Sequence, residues 1–400
     1  MVSMGLAQWL CIYTSKSWTV HPMGIDLNES KKKEYRNIVA RKVFFLAICL
    51  IILIVTTIVS CSVGTGYEFS KTAQVIWDHI IGVTYPVRSP DWWADYYIFN
   101  NVMPGVIMAL IAGAGLALAG AVMQSMMENP LADAYTTGIS SGACLGAVVA
   151  IIMGYSYSTV VSGAGIVINA FIGSLIPAVI VILMVRYVGN SPATIILIGT
   201  ALTFFFNSMV TLVMITSSAE SLQEAYIWQV GSVTNASWAD MPLMLMMCVA
   251  SAVLVQLSSN KLNIMALGEK SAKSLGLDVV QFRMLCIILT SVLIASIISF
   301  TGIIGFIGLV APHITRFLVG GDNRFVIPGS MIMGSTVLVL ADLASRMLVS
   351  YGNIPLGVVM SFIGAPIFLY LIVRRKSDKE VFRWQGKRIT RAWCAKNGSS

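Results

Sequence analysis

Four hundred residues with 57% hydrophobic and 11% charged side chains lie far from a soluble globular composition, in which charged residues make up about a quarter. The net charge of +8 belongs to membrane orientation rather than to nucleic acid, because the basic residues sit beside apolar runs. What remains is a polytopic membrane protein.

In chain order, residues 1–42 are polar and end in Lys31, Lys32, Lys33, Arg36, Arg41 and Lys42, directly before the apolar run Val43 to Val63. A basic flank followed by a run that fills a bilayer at about 1.5 Å per residue predicts a retained first span, not a cleaved signal. Nine further runs follow: Pro104 to Met126, Gly138 to Gly154, Ser162 to Val185, Ile195 to Ile215, Met241 to Leu257, Phe282 to Ser299, Gly302 to Val319, Ile327 to Leu348 and Pro355 to Val373. The seventh and eighth are parted only by a Thr-Gly corner at Thr301 and Gly302. The expected fold is therefore all-α with about ten transmembrane helices, arranged as a cytoplasmic extension (1–42), a transmembrane domain (43–376) and a basic tail (377–400).

Ten spans put both termini on one side, and the basic residues name that side independently. Arg186, Lys261, Lys270, Lys273, Arg283, Arg316 and Arg324 join the two basic ends, whereas only Lys71, Arg88 and Arg346 fall opposite. The positive-inside rule then makes the termini cytoplasmic. The two longer outer loops carry Trp77, Trp92, Trp93, Tyr96, Tyr97, Tyr226, Trp228 and Trp238, the residues of an interfacial belt.

Gly113, Ala117 and Ala121 recur every fourth residue, and Gly142, Gly146, Gly302, Gly305 and Gly308 extend the same device; small faces let helices approach closely where lipid supplies no hydrophobic drive. Spans two to five and seven to ten fit an inverted repeat, since a shift of five spans reverses orientation. The seven cysteines form no close pair and read as small packing residues; His21, His79 and His313 are too far apart in sequence to suggest a metal site.

Between the sixth and seventh runs lies a short amphipathic stretch, Ile264 to Phe282. Met265, Gly268, Ala272, Leu275 and Val279 share one helical face, opposite Glu269, Lys270, Lys273 and Ser274, with Glu269 four residues before Lys273. Gly276 suits a left-handed helix end, and Asp278 with Gln281 reads as a capping box opening a second helix. A helix, a corner and a new helix describe either a coupling element or an ordinary surface helix.

Fixed charge nearly vanishes from the spans, the clear case being Asp342 with Arg346 one turn later. A pair at that spacing neutralises itself and reads as a structural pin or docking point near the outer end of its span. No phosphate-binding loop is present: Gly386-Lys387 is followed by Arg388 and lacks the preceding glycine. No catalytic set of paired carboxylates, activated nucleophile or metal ligands appears.

Several long motifs, in order, resemble the permeases of type II ABC importers for ferric siderophores, haem and cobalamin, the FecCD family. They are LALAGAVMQ (Leu116 to Gln124), NPLAD (Asn129 to Asp133), GISSGACLGA (Gly138 to Ala147), LGEKSAKSLGL (Leu267 to Leu277), GFIGLVAPHITR (Gly305 to Arg316), ADLASR (Ala341 to Arg346) and PLGVVMSFIGAPIFLYLI (Pro355 to Ile372). The resemblance covers about residues 95 to 375 and implies a ten-span type II importer permease fold in a bacterial or archaeal cytoplasmic membrane. It implies pairing with a second copy or a related permease. Two cytoplasmic subunits using ATP and Mg would lie below, and an extracytoplasmic substrate-binding protein above. No cofactor bound by this chain, no metal and no nucleic acid enters that picture.

Carried onto this sequence, the resemblance makes Gly268, Glu269, Ala272, Lys273, Leu275 and Gly276 the ATPase-coupling segment, and Asn190, Ser191, Pro192 and Ile195 the gate of the path. Two departures stand out. Relatives usually carry Arg-Leu-Pro-Arg where this chain has Val102-Met103-Pro104-Gly105, and Glu128 replaces a usual basic residue. Docking charge on the outer side is then expected from Arg88 and Arg346, with Trp92 and Trp93 adding apolar contact. The competing class is a secondary transporter or channel without an ATPase, which needs ion-binding groups that the spans do not show.

Overall fold

The computed structural model describes residues 29–63, 65, 67–154, 162–348 and 354–370, and no strand occurs among them. Residues 1–44 and 45–400 form two units; the architecture is that of the second. In chain order the helices are α1 (Glu29–Ser62), α2 (Phe69–Ile80), α3 (Pro90–Tyr97), α4 (Met103–Met126), α5 (Ile139–Met153), α6 (Ser162–Val188) and α7 (Pro192–Ile215). They continue with α8 (Ala219–Val230), α9 (Met241–Leu257), α10 (Ser259–Met265), α11 (Glu269–Ser274), α12 (Val279–Thr301), α13 (Ile307–Val319), α14 (Asn323–Met347) and α15 (Leu356–Tyr370).

Each of the ten apolar runs contains a helix. Among the described residues six helical stretches are long and apolar enough to cross a membrane, and a seventh crossing arises if α9 and α10, bent by 62°, are taken together. The helices α5, α13 and α15 are shorter. The eighth run shows why: it was expected to be helical from Gly302, but the helix starts only at Ile307. Gly302 (φ 67°) and Phe306 (φ 69°) take left-handed conformations, so the intervening chain cannot wind. Its backbone finds partners elsewhere, as buried backbone must in lipid: Ser232 N donates to Thr301 O (2.8 Å) and the Tyr135 hydroxyl to Ile304 O (2.8 Å).

Helix α4 is the axis of the unit, buried along nearly its whole length and packed by α9, α12, α13 and α14. The four-residue spacing of small side chains explains this. A methyl group on Gly113 would lie 2.5 Å from Gly334 O of α14, and one on Gly120 would collide with the backbone of Gly308 in α13. Backbone-to-backbone contact of this kind replaces the hydrophobic drive that lipid removes. Met108, Leu118, Met123 and Met126 of α4 meet Leu293, Ile294, Ile297 and Leu338 in one continuous core. The five described cysteines are free and buried, consistent with a packing role.

The inter-helix segments gather into two sets, as an alternating topology requires. Residues near 128, 190, 263–283 and 322 contact one another at one end, through Arg283 to Asn190, Asn263 to Asp322 and the approach of Glu128 to Gly268. At the other end Arg346 reaches Ser60, Trp238 donates to Phe99 O (2.8 Å) and Gly357 N donates to Gly231 O (3.1 Å).

Candidate functional site

The amphipathic stretch breaks once more than the helix, corner and new helix that its sequence predicts. Gly268 sits at φ 100° and divides it into α10 and the six-residue α11. The exit of α11 matches expectation: Gly276 (φ 82°) closes a Schellman motif, with Leu277 N donating to Ala272 O (3.1 Å) and Gly276 N to Lys273 O (3.0 Å). Asp278 then caps α12 by accepting from Gln281 N (3.0 Å).

This break changes which side chains face outward. Met265, Ala272 and Val279 are buried within the chain itself, so the small face made by Ala272 is already occupied and offers no surface to a partner. Leu275, expected on that face, is 61% exposed, as is Leu267 at 64%; Gly276 has open space around it. The outward surface of α11 is Leu267, Lys270, Lys273 and Leu275.

Glu269 is the hinge of the local electrostatics. It pairs with Lys273 Nζ at 2.8 Å and with Arg283 Nη1 at 3.4 Å. The hydrogen bond from Lys273, aided by the positive charge of Arg283, holds its carboxyl below the usual carboxylate range against an opposing effect of burial. Arg283, counted in the sequence only as a topological charge, is almost fully buried (1% exposed). The same Nη1 donates to Asn190 O. The structure thus joins a residue of the expected coupling segment to a residue of the expected gate through one guanidinium.

The gate segment is a short turn. Gly189 (φ 110°) reverses the chain, Ser191 caps α7 by accepting from Thr194 N (3.1 Å), and Pro192 occupies the first turn. Ile195 is fully buried and packs in the chain's own core. The outward side of α7 instead shows Leu197, Thr200, Phe204, Ser208 and Thr211. Their hydroxyls bond back to their own helix, Thr200 to Ile196 O, Ser208 to Phe204 O and Thr211 to Asn207 O, each within 2.9 Å.

At the other end, the Asp342–Arg346 pair is present and more elaborate than its spacing implies. Arg346 Nε and Nη2 donate to Asp342 Oδ2 (3.1 and 2.9 Å), while Nη2 also reaches Ser60 O (2.9 Å) and Ser60 Oγ (2.6 Å), and Nη1 reaches Val63 O (3.3 Å). With 9% of its side chain exposed, Arg346 is a pin between α14 and α1, not the accessible docking charge expected of it. Arg88 is exposed, in a left-handed turn (φ 69°) before α3. Val102 and Gly105, where relatives usually carry arginines, are buried. The three helices α2, α3 and α8 within the loops at 64–101 and 216–240 were not expected; Ser89-Pro90 and Ser218 with Ser221 are the capping signals that announce two of them.

A bundle of apolar helices around a glycine-crossed axis, with a charged helix linked to a turn at one end, is the architecture of a multi-pass membrane protein. The chain belongs to the FecCD transport family, whose profile matches residues 49–374. It is 31% identical over 335 residues to the hemin transport system permease protein HmuU of Yersinia pestis, covering 84% of this chain and 96% of that protein. It is 31% identical over 336 residues to the molybdate import system permease protein MolB of Haemophilus influenzae (82% and 94% covered). To the cobalamin import system permease protein BtuC of Halobacterium salinarum it is 35% identical over 280 residues (70% and 73% covered). Among solved structures, a metal-chelate type ABC transporter in an inward-facing conformation superposes with a TM-score of 0.71 at 29% identity, covering 82% of this chain and 99% of that one. The fold is that of a type II ABC importer permease, as the motifs implied.

Proposed function

We propose that this chain is the permease subunit of an ATP-driven importer that moves an iron chelate, a ferric siderophore or haem, or cobalamin across the cytoplasmic membrane. Hydrolysis belongs to two separate ATP-binding subunits, and cargo is delivered by an extracytoplasmic binding protein. The observation that carries this reading is α11, a short exposed helix between two spans, tied through Arg283 to the turn that begins α7. Partner-driven transport needs such a handle beside the path; a self-contained carrier does not.

The outward hydroxyls of α7 add support. Small hydroxyl side chains that bond back to their own helix let that face, which also carries Leu197 and Phe204, pack closely against a partner copy of the permease. On the outer side, Arg88 and an aromatic cluster in which Trp92 stacks on Tyr96 and meets Trp93 edge-on form the docking surface for the binding protein. Exposed ion pairs contribute under about 1 kcal/mol and are screened by salt, so docking leans on apolar area.

The test is reconstitution. Alone in proteoliposomes, the permease hydrolyses no ATP. With its ATPase and binding protein, it takes up one of four offered cargoes, ferric siderophore, haemin, cobalamin or molybdate, only when ATP is supplied. Uptake of molybdate alone would replace the chelate reading with an oxyanion one, and ATP-independent uptake by the isolated permease would establish the secondary-transporter class.

A further inference from the structure

Buried arginines are held by several acceptors, since each unpaired guanidinium nitrogen forfeits water without compensation. Arg346 follows this rule, with bonds to Asp342, Ser60 and Val63. Arg283 does not. Its Nη1 is shared by Glu269 and Asn190 O, while its Nε and Nη2, and Asn190 Nδ2 beside it, have no partner among the described residues.

We propose that Arg283 is a positioning residue of the transport cycle, carrying movement of α11 to the turn that opens α7 by trading Glu269 for other acceptors. This rests on the permease reading. The trade is built into the local geometry. Glu269 stands between the exposed Lys273 at 2.8 Å and the buried Arg283 at 3.4 Å, so its stronger tie is to the side chain a docking partner would touch. Displacing α11 outward draws Glu269 with Lys273 and releases Nη1, which leaves the guanidinium, with two idle nitrogens, to pull on the carbonyl of Asn190 or let it go. Helix α12 is a firm base for this, packed against α4 and α6, and α6 leads into the same turn. Glu269 and Asn190 are 79 residues apart in sequence but share one nitrogen atom. Discrete arrangements of a packed polar group, rather than continuous deformation, are how small shifts at one site move another.

The experiment follows the turn directly. Tyr187→Cys, at an 83% exposed position three residues before Asn190, is introduced with Cys11→Ser and Cys394→Ser, and the whole permease is purified with its ATPase. Labelling by a soluble maleimide is compared with and without ATP. In the parent the rate changes with ATP. With Arg283→Met that change shrinks by about tenfold, a loss within the range of coupling between linked sites, while ATP hydrolysis continues. Arg283→Lys, which keeps the charge but lacks the reach and the second and third nitrogens of the planar guanidinium, recovers only part of it. A full ATP-dependent change in Arg283→Met would overturn the proposal. Should that variant fail to assemble, Glu269→Gln decides: it weakens one arm without vacating the site, and an unaltered response in it overturns the link. An unresponsive parent would mean that the turn stays still through the cycle and would overturn the relay, whereas the permease reading is decided separately by ATP-driven uptake in proteoliposomes.

Discussion

The guanidinium of Arg346 grips Ser60 twice, at its carbonyl (2.9 Å) and its hydroxyl (2.6 Å), and so fastens the end of α14 to the end of α1. Asp342 balances the charge from one turn below. Arg346 therefore holds the first span to the bundle. Losing one partner from a buried ion pair costs about 3–5 kcal/mol, because the other charge stays behind unpaired.

Arg346→Met is accordingly expected to lower the thermal unfolding midpoint of the detergent-solubilised permease by several degrees, and Asp342→Asn in the same background to restore part of the loss. Affinity for the binding protein should scarcely change in the surviving fraction. A normal melting profile combined with weakened docking would return Arg346 to the outer surface.

The second prediction concerns the crossings of α4. Gly113→Leu forces a side chain into the backbone of Gly334, and Gly120→Leu does the same at Gly308. Overpacking a well-packed core costs about 1–3 kcal/mol and more where backbone must move. Both variants should fail to give a monodisperse protein on size-exclusion chromatography. Gly305→Ala, which meets nothing within 4 Å, should behave as the parent.

Acid dependence gives a third. Asp322 caps α14, accepts from Asn263 Nδ2 (2.8 Å) and holds Arg324 through Nε–Oδ1 (3.1 Å) and Nη2–Oδ2 (2.6 Å). The Arg324 hydrogen bonds lower its carboxyl from an ordinary 3.8 to about 2. A folded-state value below the unfolded one means that the stabilisation is complete above pH 3.8 and disappears as pH falls through about 2. Asp322→Asn keeps a cap but removes the titrating group. The stability difference between parent and variant should therefore be constant above pH 4 and shrink below it, measured by urea unfolding across that range. A difference unchanged down to pH 2 would mean that Asp322 contributes through its cap alone.

Much of this fold was legible because lipid leaves few options. The ten apolar runs, the four-residue spacing at Gly113 and the Gly276 corner each follow from a local rule that the surroundings do not override. What the sequence did not announce lies in tertiary context. Ile195 and Ala272 have the right chemistry for a path or a contact, yet both are consumed by packing within their own chain. Arg283 has no motif around it, because its significance lies in meeting Asn190 across more than ninety residues of chain. The start of α13 slipped to Ile307 because Phe306 adopts a left-handed conformation that its identity does not announce.

The last prediction separates the two faces of α11. The periodicity of the segment put Gly268, Ala272 and Leu275 on one face, and the resemblance made that face a partner surface, but Ala272 is buried and Leu275 exposed. Two substitutions that periodicity treats alike should then behave oppositely. Ala272→Trp must be accommodated among Met265, Val279 and their neighbours in the core, where extra volume costs about 1–3 kcal/mol, so it should lower the unfolding midpoint of the permease with no ATPase present. Leu275→Asp changes nothing inside the chain and should leave that midpoint where it was. It should nonetheless reduce recovery of the ATPase on the tagged permease, because an apolar contact is replaced by a charge that must be desolvated on docking. Lys270→Glu, on the same outward surface, should add a salt-dependent decrease of its own. If Ala272→Trp leaves the isolated permease stable and abolishes ATPase recovery while Leu275→Asp recovers it in full, the small face is the contact after all, and α11 must turn over when its partner binds.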